Sequence, residues 1–249
     1  PDKQHTLSTE GRDFLTDLAS LMERYHPRSK HVNPQGRKLN LANQWALPYS
    51  LMQALRQCFL STHEIFSSPL NCCMADDNHY CSAFQEDTCF GASYDAFNYH
   101  LTGSCIANPE YEPDDMHRAV AHALSCASST NLPTLIAMVL PAWEDSPWRH
   151  PGIRAHPCME TLIRLEKGHL KFVPHNRQLD SDLDASRLTA ASWPVEIIVI
   201  ANKEGQDSYL SANRLQHTLV PALRAACAVP DQHIPLFPDR GTPTTTTPI

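Results

Sequence analysis

The 249-residue chain has no long hydrophobic run: its best, Leu135 to Leu140, falls far short of the roughly 18 apolar residues a membrane-spanning helix requires. It has no Walker loop, no G-x-G-x-x-G turn and no Ser-His-Asp order, so hydrolase and nucleoside-triphosphatase readings lose their support. It lacks a global basic field, with 20 Lys and Arg against 27 Asp and Glu and a formal charge of −7, so net charge alone does not announce nucleic acid. The opening Pro1-Asp2-Lys3-Gln4-His5 shows no signal-peptide pattern. Nine cysteines are present without a paired C-x-x-C, so Cys72, Cys73, Cys81 and Cys89 with His79 do not make a zinc knuckle. A chain of this length needs no disulfide framework, and the expectation is reduced, mostly buried thiols and no metal. His117 and His122, at i, i+5, do not share a helix face and suggest no ligand pair.

What is present is ordinary globular composition, 42% hydrophobic and 19% charged, enough for one large domain or a core with a small appendage. Ser8 or Thr9 can cap a helix running to about Tyr25, with Phe14, Leu15, Leu18, Leu21 and Met22 on one face, and Pro27 ends it. Residues 27–45 read as a polar loop, and Pro48 fits the first position of a helix carrying Leu51, Leu55 and Phe59. Residues 1–60 are therefore expected to form a helical appendage. They carry Arg12, Arg24, Arg28, Lys30, Arg37, Lys38 and Arg56, which fits either a solvated helix face or a local phosphate-contacting surface.

From residue 61 to 234 short apolar runs alternate with helical patterns. Glu64 to Phe66, Ser104 to Ala107, Leu135 to Leu140 and Val195 to Ile200 read as strands, the last two near-continuous and β-branched enough to be buried on both faces. Helices are expected over 114–128, where Asp114 and Asp115 follow Pro113, over about 157–167 and over 208–227. This alternation implies an α/β sheet with helices on both faces. The proline- and threonine-rich residues 235–249 read as a disordered tail.

In open α/β sheets, ligands bind outside the carboxyl ends of the strands. The segment Gly103 to Tyr111 delivers Asn108-Pro109-Glu110-Tyr111 to such an end. An Asn-Pro-x-aromatic turn suits the methylation of an exocyclic adenine amine, whose lone pair is delocalised into the ring. Acceptors on the amine hydrogens, an Asn side-chain oxygen and a backbone carbonyl, favour pyramidalisation and free that lone pair. An aromatic face holds the base, and proline fixes the turn so that the carbonyl points inward. Taken alone, Asn-Pro is equally an ordinary turn.

The flanks carry more. Phe66-Ser67-Ser68-Pro69-Leu70-Asn71, Tyr80-Cys81-Ser82-Ala83-Phe84, Phe90-Gly91-Ala92, the Asn108 turn and Val139-Leu140-Pro141-Ala142-Trp143 follow one another in order. Together they resemble the phosphorylated-CTD-interacting-factor family, whose members have F-x-S-P-L-N, Y-C-S-A-F and F-G-S segments and strands ending in N-P-P-F and P-x-W. The resemblance spans roughly residues 44 to 200. It implies a Rossmann-like class I methyltransferase that uses S-adenosylmethionine and acts on the 2′-O-methyladenosine beside an mRNA cap. By position, Asn108 and Pro109 orient the amine and Tyr111 stacks on adenine. Phe66, Ser68, Pro69 and Asn71, with the Phe90-Gly91 turn, border the cofactor. Trp143, Arg149 and Arg154 are candidates for contacts to RNA, or else cover a loop. RNA is the expected partner, with no membrane, and the family points to the nucleus, organellar and cytoplasmic locations remaining open. Two departures stand out: Glu110 replaces the second proline and adds a carboxylate, and Tyr111 replaces phenylalanine. They leave a second reading, a non-catalytic RNA-binding or scaffolding subunit on the same fold. The interval from Phe66 to Asn108 is also too short for a full second and third strand with their helices, which implies a trimmed sheet.

Overall fold

Two buried β-branched strands organise the molecule. The computed structural model describes residues 14–26, 45–73, 79–174, 188–210 and 219–228. Its strands are β1 (Trp45–Ala46), β2 (His63–Ile65), β3 (Cys81–Ser82), β4 (Ser93–Tyr94), β5 (Gly103–Ala107), β6 (Thr134–Pro141), β7 (Met159–Leu165), β8 (Lys171–Pro174), β9 (Thr189–Ala190) and β10 (Val195–Ala201). Its helices are α1 (Phe14–Arg24), α2 (Tyr49–Phe59), α3 (Pro113–Ser128), α4 (Pro151–Arg154), α5 (Lys203–Tyr209) and α6 (Val220–Ala228).

The central sheet runs β2-β5-β6-β10-β7. Strands β2, β5 and β6 are mutually parallel, and β10 lies antiparallel to both β6 and β7. Every residue of β6 and β10 is buried, as strands covered on both faces require. The parallel pair β5 and β6 is joined through α3, which starts with Pro113 in its first turn beside Asp114 and Asp115. Its Met116, Ala119, Val120, Ala123 and Ala127 face the core.

Three expectations change. Residues 157–167 hold strand β7 and not a helix: Glu160 and Arg164 are exposed while Ile163 and Leu165 are buried, and Ile163 pairs with Ile197 of β10. That alternation, and the open edge of β10, outweigh the helical spacing. The helix expected over 208–227 is divided: α5 ends at the cap Leu210, α6 begins at Val220, and 211–218 lie outside the described residues. Pro48 precedes α2 as its cap residue and does not occupy the first turn.

The two described helices of the first sixty residues pack into different clusters. Leu51, Leu55 and Phe59 of α2 join the core under the sheet, whereas Leu21 and Tyr25 of α1 pack on Phe84 in a separate small cluster. Ser8, Thr9, most of the early basic residues and the tail 235–249 lie outside the described residues. Among the described residues between β2 and β5 lie the short parallel ribbon β3-β4 and two 3₁₀ turns, Gln85–Phe90 and Ala96–Asn98, and β2 forms one edge of the five-stranded sheet. No described helix is long and apolar enough to cross a membrane.

Candidate functional site

Strands β2 and β5 pair in register, Ile65 beside Ala107. Their carboxyl ends therefore release two segments side by side: Phe66 to Asn71, and Asn108 to Tyr111. Both border one open cleft. From these segments Phe66, Ser67, Ser68, Asn71, Asn108, Pro109 and Glu110 line it.

The first segment is a tight loop. Phe66 takes a φ of 62°, a left-handed conformation rare for a phenylalanine. Asn71 pays for that bend by accepting from the Ser68 amide at 2.8 Å and from the Ser68 and Ser67 hydroxyls at 2.9 and 3.1 Å. The Ser-Pro-Leu-Asn spacing is thus explained locally, and the Ser68 hydroxyl is already engaged. Pro69 helps form this loop without lining the cleft. Beneath it, buried Glu64 of β2 accepts from the Cys73 amide at 2.8 Å, and burial raises its carboxyl to about 7 against that hydrogen bond.

At the second segment the Asn108 amide is held from two sides. Its Nδ2 donates to the Trp45 carbonyl at 2.6 Å, and its Oδ1 accepts from the Tyr111 hydroxyl at 2.8 Å. Tyr111 itself is 3% exposed and does not line the cleft. Its ring meets Phe172 and Trp193 edge-on at 5.6 and 6.5 Å, and burial holds its hydroxyl well above the ordinary phenol range. A stacking face for a base is therefore not offered by Tyr111. The phenol needs a hydrogen-bond partner when buried, and the Asn108 oxygen supplies one that a phenylalanine would not use.

Aromatic side chains reach the cleft both from the motifs, at Phe66 and Phe84, and from Trp45 and Phe97, which no motif contains. Trp45, Phe84 and Phe97 line it with Phe66, and the Phe66 and Phe97 rings lie 5.3 Å apart. Asp95, with a φ of 54°, caps the short turn carrying Phe97 by accepting from the Phe97 amide at 3.1 Å. Only positive φ at a non-glycine residue would have marked this turn, and composition does not show that. Among the lining residues the carboxylates Asp95, Glu110 and Asp115 stand against a single guanidinium, Arg118 of α3.

One wall is braced from outside. Asp87, fully buried, pairs with Arg24 at 3.0 Å, accepts from the Tyr25 hydroxyl at 2.6 Å and also accepts from Ser82. Burial, then the Asp87 charge, raise the Tyr25 hydroxyl. Tyr25 and Ser82 line the cleft, so α1 is fastened to it by a charged pin. Phe90 packs against this cluster, and Gly91, at φ 89°, caps the 3₁₀ turn; neither lines the cleft.

Trp143, Arg149 and Arg154 also lie away from the cleft lining. Arg149, Arg154 and Arg164 converge on Glu196 of β10, which is 2% exposed, with Arg164 at 3.0 Å and Arg149 at 3.7 Å. Arg149 also donates to the Ala142 carbonyl at 2.8 Å, and Trp143 packs on Trp193 at 5.7 Å. These side chains fasten the segment after β6 to β10. None of the nine cysteines is paired with another, and no metal-ligand cluster occurs among the described residues.

Sheet and cleft define an α/β protein of mixed parallel and antiparallel pairing, with an open cleft where two adjacent parallel strands end. Comparison with known proteins supplies the family. The model described as "Phosphorylated CTD interacting factor 1 WW domain" matches residues 2–163, and the chain belongs to this family. Over 106 residues, 42% of its length, the chain is 33% identical to a human protein named mRNA (2′-O-methyladenosine-N(6)-)-methyltransferase. It is 32% identical to the mouse protein of that name over the same extent. The match spans 15% of the length of either relative.

Proposed function

We propose that this chain is a Rossmann-like class I, S-adenosylmethionine-dependent RNA methyltransferase acting on the exocyclic N6 amine of an adenosine, a cap-adjacent one by analogy with its relatives. The observation that carries the reading is the pairing of β2 with β5, which brings the Phe66–Asn71 loop and the Asn108 turn to one cleft. Membership of the family and the names of the human and mouse relatives support it. The same reading favours action on RNA in the nucleus.

The lining suits the cofactor. Phe66 and Phe97 offer faces for its adenine, and Asp95, Glu110 and Asp115 suit its sulfonium and ammonium charges. The Phe66, Ser68 and Asn71 loop, shaped in part by Pro69, would hold it, with Phe90 and Gly91 supporting the wall from behind. When bound, S-adenosylmethionine would supply an electrophilic methyl on sulfur: the amine lone pair would form the new N–C bond as the C–S bond breaks, S-adenosylhomocysteine would leave, and the amine proton would pass to solvent.

The chain's own residues prepare that amine. The Asn108 Oδ1 has a second lone pair beyond the one taken by Tyr111, and it would accept one amine hydrogen. The carbonyl of Pro109 would accept the other. Tyr111 acts as a positioning residue: its hydroxyl, together with the Trp45 carbonyl, fixes which way round the Asn108 amide sits. Trp45, Phe66 or Phe97 takes the stacking role assigned by motif to Tyr111, since these rings line the cleft.

Glu110 favours one other reading, because it removes the second proline of the catalytic turn and puts a carboxylate into the cleft lining. In that reading the chain keeps the fold as a non-catalytic RNA-binding or scaffolding subunit. Calorimetry with S-adenosylmethionine, followed by methyl transfer to capped RNA beginning with adenosine, separates the two. Binding with turnover supports the enzyme, and binding of neither cofactor nor methyl-accepting RNA rejects it.

A further inference from the structure

Arg118 stands apart from the other described arginines near the site. Arg24 is committed to Asp87, and Arg149, Arg154 and Arg164 to Glu196. Arg118 is exposed, lines the cleft, and makes no ion pair or hydrogen bond among the described residues. It is nevertheless fixed in place: its guanidinium carbon lies 3.6 Å from the centroid of the Phe97 ring. Phe97 is in turn held between Phe66 at 5.3 Å and His122 at 5.4 Å. A guanidinium stacked on an aromatic face keeps its N–H donors in the plane, pointing outward, where they match two oxygens of a phosphate.

We propose that Arg118 is the phosphate grip of this cleft, holding one phosphodiester of the RNA strand whose base is presented to Asn108. This rests on the methyltransferase reading for the identity of the strand. Three features support it. The other charged lining residues, Asp95, Glu110 and Asp115, are acidic, so a polyanion entering the cleft has one side chain on which to place a charge. Arg118 lies five residues into α3, the helix that follows the Asn108 turn, about 7.5 Å along its axis, the scale that separates a nucleotide's base edge from its phosphate. Its exposure at the rim suits a strand arriving from solvent. The grip offsets the repulsion that Glu110 introduces in place of proline.

The test uses the whole chain, a fluorescently labelled short capped RNA beginning with adenosine, and S-adenosylmethionine. Anisotropy of the RNA is read across a salt series, with calorimetry of the cofactor and methyl transfer in parallel. Arg118→Gln is expected to weaken RNA binding on the order of tenfold and to lower the slope of log affinity against log salt by about 1. Cofactor affinity and the rate at saturating RNA are expected to stay within about twofold. Arg118→Lys is expected to restore the salt slope and only part of the affinity, since it returns charge without the planar fork. RNA affinity and salt slope unchanged in Arg118→Gln overturn the grip even if methyl transfer proceeds. Loss of cofactor affinity in place of RNA affinity also overturns it and assigns the guanidinium to the cofactor carboxylate. An unmodified protein that binds no RNA overturns it as well. Arg118-dependent, salt-sensitive binding without methyl transfer upholds the grip while removing the enzyme reading.

Discussion

Asn108 is the residue on which the proposed chemistry turns, and its amide is oriented by a partner on each end. Tyr111→Phe removes a single hydroxyl and leaves the ring in its place against Phe172 and Trp193. Asn108 then keeps the Trp45 carbonyl but loses the donor that identifies its oxygen side. The expected result is a fall in methyl-transfer rate on the order of tenfold with unchanged cofactor affinity, and a stability loss of about 1 kcal/mol. Rapid-quench single turnovers and denaturant unfolding measure the two parts, and an unaltered rate would remove Tyr111 from the positioning role. The Asn-Pro-x-aromatic pattern pointed to this place because a turn at a strand end was legible from Ser104-Cys105-Ile106-Ala107-Asn108-Pro109. The direction of the Tyr111 ring was not legible: it is decided by a pocket built from Phe172 and Trp193, more than sixty residues downstream. The ion pairs of Arg149 and Arg154 were not legible either, since their partner Glu196 lies in β10 and no local pattern announces it.

At the scale of elements, strand β2 carries a buried carboxyl, Glu64, which accepts from the Cys73 amide just after the Phe66–Asn71 loop. Glu64 is raised to about 7 by burial, the Cys73 amide working the other way. A raised folded-state value means the native protein holds this proton where the unfolded chain has lost it. The contribution to stability is present at low pH and is lost as pH rises from about 4.5 through about 7, at a slope of at most about 1.4 kcal/mol per pH unit. Glu64→Gln is expected to flatten that portion of the stability profile in urea unfolding at stepped pH. A profile with the same slope in the variant would contradict the assignment. A second element, β10, is fastened to the segment after β6 by Glu196. Glu196→Ala leaves three guanidinium groups without their buried counter-charge, and a loss of about 3–5 kcal/mol in chemical unfolding is expected. A loss below about 1 kcal/mol would show that the arginines find other partners. The strands β6 and β10 were readable because burial on both faces writes itself as near-continuous, β-branched-rich runs, and β5 from the shorter run Ser104 to Ala107. Strand β7 was not, because the alternation of Met159 to Leu165 competes with helical spacing until β10 is beside it.

For the whole molecule, the chain is net acidic, and its cleft lining is acidic apart from Arg118. A net charge of −7 gives no general attraction for RNA, so recognition has to come from placed groups. The sheet order and the meeting of two motifs at one cleft follow from the pairing of β2 with β5, and the family match is consistent with motifs that were already in order along the sequence. The central claim is that this cleft transfers a methyl group from S-adenosylmethionine to an adenosine amine. The most direct measurement is nucleoside mass spectrometry of capped, adenosine-initiated RNA after incubation of the full chain with isotopically labelled S-adenosylmethionine, beside the Asn108→Ala variant. The expected result is label on N6 of the first transcribed adenosine with the unmodified chain, and a loss of at least about a hundredfold in the folded variant. No labelled adenosine from either protein, or equal labelling from both, would contradict the account.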